Sequence, residues 1–229
     1  KGHVCPILYA ALGVRGFFPE EHLHTLRKEG SILQGHPSMN KCPGIDISTG
    51  SLGQGLACAV GMAMAGKMDK KDYKVFCVLG DGEAQEGEIW EAANTAHKYG
   101  LDNLIAFVDY NNLQLDGTCD EVMPNGDLGE KFKAFGWETI EIDGHSMEEI
   151  ADSVHRLVVV NDAEIPMDGT PGQVFSHAEE LETMGLAIPQ VTKIFRRLRA
   201  VGLPVDPTVY TTEQAAKALM QLKGGAASC

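Results

Sequence analysis

Two short apolar runs limit the folds that are open to this chain. Val75–Leu79 and Leu104–Val108 are continuous apolar runs bounded by polar or glycine-containing segments. Continuous runs of this length, rather than alternating ones, are typical of parallel strands that are covered on both faces. The segment between them carries one helical pattern, at residues 86–99. Strand, helix and strand in this order predict a βαβ unit with a right-handed crossover, and therefore an α/β fold.

The neighbouring segments extend this prediction over the first part of the chain. Helices are predicted near residues 4–16 and 51–67, and a third strand is predicted at Trp137–Ile142. A loop rich in Gly, Pro, Ser and Asn occupies residues 31–50, and a further helix begins at Met147. We therefore expect a truncated α/β domain, in which a parallel sheet has helices on both faces.

The pattern of the sequence changes after about residue 154. A β-hairpin is predicted first, at residues 156–169, and three short helices follow, near residues 171–184, 189–201 and 211–222. Glycines and X-Pro sites separate these helices, as expected at helix ends. We therefore expect two domains, residues 1–150 and residues 151–229, of which the second is small and mostly helical.

Composition excludes several classes of function. The formal net charge is −13, which argues against nonspecific binding to nucleic acid or to anionic lipid. No apolar stretch reaches about 18 residues, the length that predicts a membrane span. The six cysteines are scattered and form no CxxC pair, which is typical of a reducing compartment and predicts a cytoplasmic protein.

Polar residues follow each apolar run, where ligands bind at the carboxyl ends of parallel strands. Gly80-Asp81-Gly82 follows the first run, and Asn111-Asn112-Leu113 follows the second after one tyrosine. The Asp81 carboxylate, the Asn111 amide oxygen and the Leu113 carbonyl are hard oxygen ligands of the kind that Mg²⁺ binds together with phosphate. Taken alone, Gly-Asp-Gly is typical of a tight turn and Asn-Asn of a loop, but the two together at strand ends favour a metal–diphosphate site.

These two motifs resemble the thiamine diphosphate motif, in which Gly-Asp-Gly is followed about thirty residues later by Asn. Over residues 1–150 the chain is similar to the N-terminal part of transketolase. The segments that carry the resemblance are Lys1-Gly2-His3, Gly35-His36-Pro37, Pro43–Asp46, Ser48–Gly55, Glu86-Gly87, Leu113–Gly117 and Ile142–His145. The resemblance implies an enzyme of the transketolase type that uses thiamine diphosphate and Mg²⁺ to transfer a two-carbon ketol unit between sugar phosphates.

The resemblance also implies a role for individual residues. Asp81, Asn111 and the Leu113 carbonyl would bind Mg²⁺. The residues expected against the cofactor are Leu52, Gly53, Gly80, Asp81, Gly82, Glu83 and Asn111. His3 and His36 would face the reacting centre, although either histidine alone is typical of a surface loop. Glu86 and Glu91 would lie at a subunit interface, although acids in the first turns of a helix are favourable without any such role.

Two parts of the family pattern are not found in this sequence. Transketolases carry a segment before the position of Lys1, and the glutamate that activates the cofactor lies in a separate pyrimidine domain. Neither is present in this sequence. We therefore expect half of an active site and essentially no ketol transfer by the chain alone. Its expected partner in a homo- or hetero-oligomer is a pyrimidine-domain subunit.

The second domain resembles another family, the C-terminal part of the ATPase subunit of an energy-coupling-factor transporter. Val158–Asp162 and Met167–Pro171 carry this likeness. The domain has no GxxxxGK[ST] loop, so we predict no ATPase activity. An alternative function follows, in which the chain is a non-catalytic, chimeric or regulatory protein whose tail binds a transporter component. Three clustered arginines, Arg196, Arg197 and Arg199, would form either a partner-binding face or a solvated basic face.

Overall fold

The computed structural model describes residues 1–161 and 164–225. The chain forms two compact units, Lys1–Ile140 and Glu141–Cys229. The helices and strands of the first unit follow in the order α1 (Cys5–Val14), α2 (Gln54–Met68), β1 (Val75–Gly80), α3 (Gly87–Lys98), β2 (Leu104–Asp109), β3 (Leu113–Gln114), β4 (Gly117–Thr118), α4 (Cys119–Val122) and α5 (Leu128–Ala134). The α/β fold class is confirmed.

The predicted βαβ unit forms the centre of the first unit. β1 and β2 pair in parallel, with Val75 opposite Leu104 and Gly80 opposite Asp109, and α3 is the crossover between them. One face of this strand pair packs against α2 and α3. The buried side chains of that core are Leu56, Ala59, Val60, Ala63, Cys77, Leu79, Ile89, Ala92, Ala93, Ala96, Leu101, Leu104 and Phe132. Small residues on both helices let their backbones approach the sheet closely.

Among the described residues, the other face of the strand pair carries apolar side chains that are exposed to solvent. Phe76 is 63% exposed and Phe107 54% exposed, and their rings stack with centroids 6.4 Å apart. Val78 is also exposed on β1. An exposed cluster of this kind is unusual for a parallel pair, whose strands are generally covered on both faces.

The strand predicted at Trp137–Ile142 is wrong, because these residues have no regular structure. Gly136 turns the chain with a φ of +83°, and Trp137 then packs into the helical core instead of joining a sheet. Its indole N–H donates to the Ala93 carbonyl over 3.0 Å, and its ring meets Phe132 edge-on. Ile140 is 76% exposed. The apolar pattern of this segment thus reflects one anchored aromatic residue rather than a strand.

A smaller core holds the N-terminal segment. α1 packs against the long loop that follows it, with Cys5, Tyr9, Leu12, Phe18, Leu33, Cys42 and Ile45 buried together. The Tyr9 hydroxyl donates to the Gln34 carbonyl over 2.9 Å. Residues Glu20–Thr25, in the segment after Pro19, form a 3₁₀ helix. This core fixes the ends of the loop that carries His36.

The second unit contains the predicted hairpin and helices. Its elements are α6 (Met147–Asp152), β5 (Leu157–Asn161), β6 (Glu164–Gly169), α7 (Pro171–Ser176), α8 (Ala178–Thr183), α9 (Gln190–Ala200) and α10 (Thr212–Gly225). β5 and β6 pair antiparallel, which confirms the hairpin, while Asp162 at its turn lies outside the described residues. The helix predicted at 171–184 is wrong as a single element, because the backbone of His177 leaves helical geometry and divides it.

Two further expectations concern the cysteines and the absence of membrane spans. The five cysteines within the described ranges are free thiols, namely Cys5, Cys42, Cys58, Cys77 and Cys119, whereas Cys229 lies outside those ranges. No helix in residues 1–161 and 164–225 is both long enough and apolar enough to cross a bilayer.

Candidate functional site

The loops after β1 and β2 meet at one edge of the strand pair. The in-register pairing continues past the strands, since the Asp81 amide donates to the Asp109 carbonyl over 3.2 Å. Asp81 is 1% exposed, whereas Asn111 on the second loop is exposed. The sequence therefore places its two candidate metal ligands on adjacent strand ends, one inside the protein and one at its surface.

The Asp81 carboxylate is held by backbone amides. Its Oδ1 accepts from Gly82 N over 2.8 Å and its Oδ2 accepts from Asn112 N over 2.5 Å. The side-chain amide of Asn125 donates to the Asp81 carbonyl over 2.8 Å. Among the described residues no Lys, Arg or His forms an ion pair with Asp81. A buried carboxylate with amide donors but no cation is suited to bind one, since carboxylate oxygens accept more than one partner.

Asn111 is oriented by its own loop. Its Oδ1 accepts from Leu113 N over 2.9 Å, and its Nδ2 donates to Asp109 Oδ2 over 3.2 Å. Lys1 Nζ also donates to Asp109 Oδ2, over 2.6 Å. An amide oxygen that accepts one hydrogen bond retains a lone pair, so Asp81, Asn111 and a loop carbonyl such as that of Leu113 remain a donor set that fits Mg²⁺.

Two asparagines, Asn112 and Asn125, donate hydrogen bonds to Asp81, although the sequence motifs assigned neither of them a role in the site. Asn112 adopts a φ of +56°, and this left-handed turn points its backbone N–H at Asp81. Its position in an Asn-Asn pair was a usable signal, because Asn tolerates this conformation better than most residues. Asn125 is 4% exposed and supports the Asp81 backbone from a distant loop. Nothing in the local sequence marks it.

Two of the predicted glycines, Gly53 and Gly82, lie very close to neighbouring side chains. Gly53 has a φ of +86°, and a Cβ there would lie 3.0 Å from the Cβ of Glu86. A Cβ on Gly82 would lie 2.8 Å from the Cβ of Gln114. Leu52 is 38% exposed directly before Gly53. Glycine at position 53 lets the segment before α2 approach Glu86, and glycine at position 82 lets the loop after β1 approach Gln114.

The Glu83 carboxylate points into the protein. Glu83 is 6% exposed, its Oε1 accepts from Gly53 N over 3.1 Å, and its Oε2 accepts from Gly80 N over 3.3 Å. Cys119 is buried beside Asp81, and burial, with a smaller effect of the Asp81 carboxylate, raises the pKa of its thiol. The site therefore contains two buried carboxylates with different partners.

The structure brings the two predicted histidines together. The rings of His3 and His36 meet edge-to-face with centroids 5.0 Å apart, and both residues are exposed. Gly50 packs between the two segments, since a Cβ on it would lie 2.9 Å from the His36 ring and a Cβ on Gly2 would lie 2.7 Å from its amide. Two imidazoles are thus available to one small molecule.

The predicted interface acids are both exposed. Glu86 is the N-cap residue directly before α3, and Glu91 lies within α3, five residues further along the chain. Neither side chain caps the helix start.

Clusters of three or more His, Cys, Asp or Glu side chains that could hold a metal are absent from the described part of the chain. The predicted magnesium site is of another kind, because it uses one carboxylate with amide and carbonyl oxygens.

Comparison with known proteins finds transketolases by family model and by sequence identity. Residues 1–164 match the family model of the transketolase thiamine diphosphate binding domain. The chain is 49% identical over 156 residues to a subunit of 6-deoxy-6-sulfo-D-fructose transketolase from a Clostridium species, covering 68% of this chain and 57% of that protein. It is 40% identical over 208 residues to one of the subunits of apulose-4-phosphate transketolase from Phocaeicola vulgatus, covering 90% of this chain and 74% of that protein.

Solved structures agree. The transketolase of Campylobacter jejuni superposes with a TM-score of 0.62 at 38% identity, over 66% of this chain and 25% of that one. A transketolase variant from Pichia stipitis gives a TM-score of 0.57 at 34% identity, over 62% of this chain and 22% of that one. The chain thus spans about a quarter of these enzymes and just over half of the Clostridium protein. It belongs to the transketolase family, of which it carries the thiamine diphosphate-binding domain.

Proposed function

We propose that this chain is the thiamine diphosphate- and Mg²⁺-binding half of a transketolase-type transferase. One observation carries the proposal, namely the buried Asp81 carboxylate that has amide partners but no cation at the joined ends of β1 and β2. Relatives that are named as transketolase subunits support a division of the enzyme between two chains. The second chain would supply the pyrimidine domain.

Each residue of the site has a task in this proposal. Asp81, Asn111 and the Leu113 carbonyl would hold Mg²⁺, and Mg²⁺ would neutralise the diphosphate in an otherwise acidic protein. The glycine loops at Gly53 and Gly82 would let the cofactor lie against the backbone. Thiamine diphosphate, when bound, supplies the nucleophilic carbon chemistry that ketol transfer needs.

The two histidines would act on the sugar. His3 and His36 present exposed imidazoles 5.0 Å apart, which can donate hydrogen bonds to sugar hydroxyls and exchange a proton with them. Glu86 and Glu91, both exposed at the start of α3, would lie at the interface with another subunit. The reaction we propose is transfer of a two-carbon ketol unit between sugar phosphates.

The proposal also covers the location of the protein and its partners. The free cysteines of the described ranges support a cytoplasmic protein. The relatives named as subunits support a hetero-oligomer with a pyrimidine-domain chain, and Glu86 and Glu91 would lie at its interface.

The second unit is open to two functions. The resemblance to a transporter ATPase that was predicted from its sequence would make it a site for a transporter component. The match to the apulose-4-phosphate transketolase protein covers 90% of the chain, so it extends past residue 164 and favours a role within a transketolase. We propose the transketolase role for this unit.

Calorimetric titration with thiamine diphosphate tests the proposal. We would titrate the chain with and without Mg²⁺, and with and without a purified pyrimidine-domain transketolase subunit. We expect Mg²⁺-dependent binding, and ketol transfer only when the partner subunit is present. An Asp72→Asn variant loses a negative charge at an exposed position away from the site, and it should bind the cofactor like the wild type. Absence of binding under every condition would overturn the proposal.

A further inference from the structure

Glu83 is a second buried carboxyl group at the end of β1, two residues after Asp81. It lies in the short 3₁₀ helix Glu83–Gln85 and is 6% exposed. No ion pair with Glu83 is found among the residues that the structure describes. A buried carboxylate without a cation needs hydrogen-bond donors, because an unsatisfied one is costly. Its donors are two backbone amides.

Those amides belong to two different segments of the site. Glu83 Oε1 accepts from Gly53 N over 3.1 Å, at the residue that precedes α2. Glu83 Oε2 accepts from Gly80 N over 3.3 Å, at the last residue of β1. One side chain therefore joins the start of α2 to the end of β1, and Gly80 is bonded directly to the Asp81 residue that carries the proposed metal ligand.

The charge of Glu83 would oppose a simple binding role. A carboxylate repels a diphosphate, and the positive end of the α2 dipole already serves Glu83 through the Gly53 amide. The α2 start has no side-chain cap of its own, so Glu83 supplies that interaction from another part of the chain. Its geometry fits a group that arranges the loops rather than one that meets the cofactor.

We propose that Glu83 is a positioning residue, which holds the Gly53 and Gly80 amides so that their loops keep the spacing required for the diphosphate. This inference rests on the function proposed above. Glu83 would therefore not contact the cofactor, in contrast to the contact that the family resemblance implies for it, because both of its oxygens face backbone amides. Its effect reaches the cofactor through Gly53, whose φ of +86° places the backbone beside Glu86, and through Gly80, which fixes where Asp81 begins.

Hydrogen exchange followed by mass spectrometry tests the bridge without any cofactor. In Glu83→Gln one of the two side-chain oxygens becomes an NH₂ group, which cannot accept from an amide. We expect exchange to rise about tenfold at the Gly53 or Gly80 amide, with the interiors of α2 and α3 unchanged. Glu29→Gln, a change at an exposed glutamate, should exchange like the wild type. Unchanged exchange at both glycines would overturn the bridge.

Cofactor affinity tests the positioning role. For the chain together with its pyrimidine-domain partner and Mg²⁺, we expect Glu83→Gln to weaken thiamine diphosphate binding about tenfold. Glu83→Asp keeps the charge but shortens the side chain, and we expect it to weaken binding as well. Tighter binding by Glu83→Gln would show that Glu83 acts only by repulsion and would overturn the role. Failure of the wild type to bind would overturn the proposed function instead, and the positioning role with it.

Discussion

The carboxylate of Asp81 accepts a hydrogen bond from the backbone amide of Asn112, 2.5 Å away, and so links the loops that follow β1 and β2. Asn112 donates this bond from a left-handed conformation with a φ of +56°. Parallel strands bring these two loops to the same edge, but this contact fixes the orientation of the carboxylate. The proposed metal site therefore depends on the geometry of the second loop as well as on the first.

Replacing Asp81 should abolish Mg²⁺-dependent cofactor binding. Asp81→Asn keeps the size of the side chain but removes its charge and one of its acceptor oxygens. We expect the affinity for thiamine diphosphate with Mg²⁺ to fall by at least about 100-fold, since loss of even an outer-shell partner costs 10–100-fold. Calorimetry measures the change, with Asp72→Asn as the matched control. Normal binding by Asp81→Asn would show that the site is assigned to the wrong residue.

Removing the Asn125 side chain should destabilise the first unit. Its amide donates to the Asp81 carbonyl in a buried environment, and Asn125→Ala leaves that carbonyl without this partner. We expect the free energy of unfolding to fall by about 1–3 kcal/mol. Urea denaturation measures the change, and Asn40→Ala, at an exposed asparagine, should cost much less. Equal stability of the two variants would contradict the role of Asn125.

The start of α7 should depend on one threonine in the second unit. Thr170 Oγ1 accepts from Gln173 N, and Gln173 Oε1 accepts from Thr170 N over 2.9 Å, which together form a capping box. Thr170→Ala should lower stability by about 1 kcal/mol, whereas Thr170→Ser keeps the hydroxyl and most of the stability. Thermal unfolding followed by circular dichroism compares them. A Ser variant as unstable as the Ala variant would exclude capping as the cause.

Stability should fall at alkaline pH because of buried thiols. Burial is the largest effect on Cys77 and raises its pKa in the folded state, while the N-terminal ammonium group lowers this pKa and Glu83 raises it by a smaller amount. The unfolded chain loses this proton near the ordinary thiol pKa of about 8.5, whereas the folded chain still retains it. The free energy of unfolding is therefore full below about pH 8.5, and decreases as the pH rises from there toward the raised folded value.

Urea denaturation between pH 7 and pH 10 measures this slope. Cys77→Ala should reduce it, because it removes one of the buried thiols, while the raised pKa values of Cys42 and Cys119 should leave part of the slope in place. Cys58→Ala removes an exposed thiol and serves as the control. A slope that Cys77→Ala leaves unchanged would contradict the assignment to Cys77.

The sequence by itself determined the fold class and the strand ends at which the candidate site was sought. Continuous apolar runs at Val75–Leu79 and Leu104–Val108 predict parallel strands, and β1 and β2 do pair in parallel, although Phe76, Val78 and Phe107 on one face stay exposed. The motifs after them must then lie at one sheet edge, since the crossover makes both strands run in the same direction. The hairpin of the second unit was likewise predictable, from two strand-like segments on either side of the turn residues Asn161-Asp162.

Only the tertiary structure decided which side chains contact each other. Trp137–Ile142 has the composition of a strand, but Trp137 finds a hydrogen-bond partner in Ala93 and remains outside the sheet. Asn125 supports Asp81 from 44 positions away, and Glu83 turns inward to two backbone amides. Local pattern cannot predict such contacts, because each depends on which distant backbone groups remain without a partner once the strands and helices have formed.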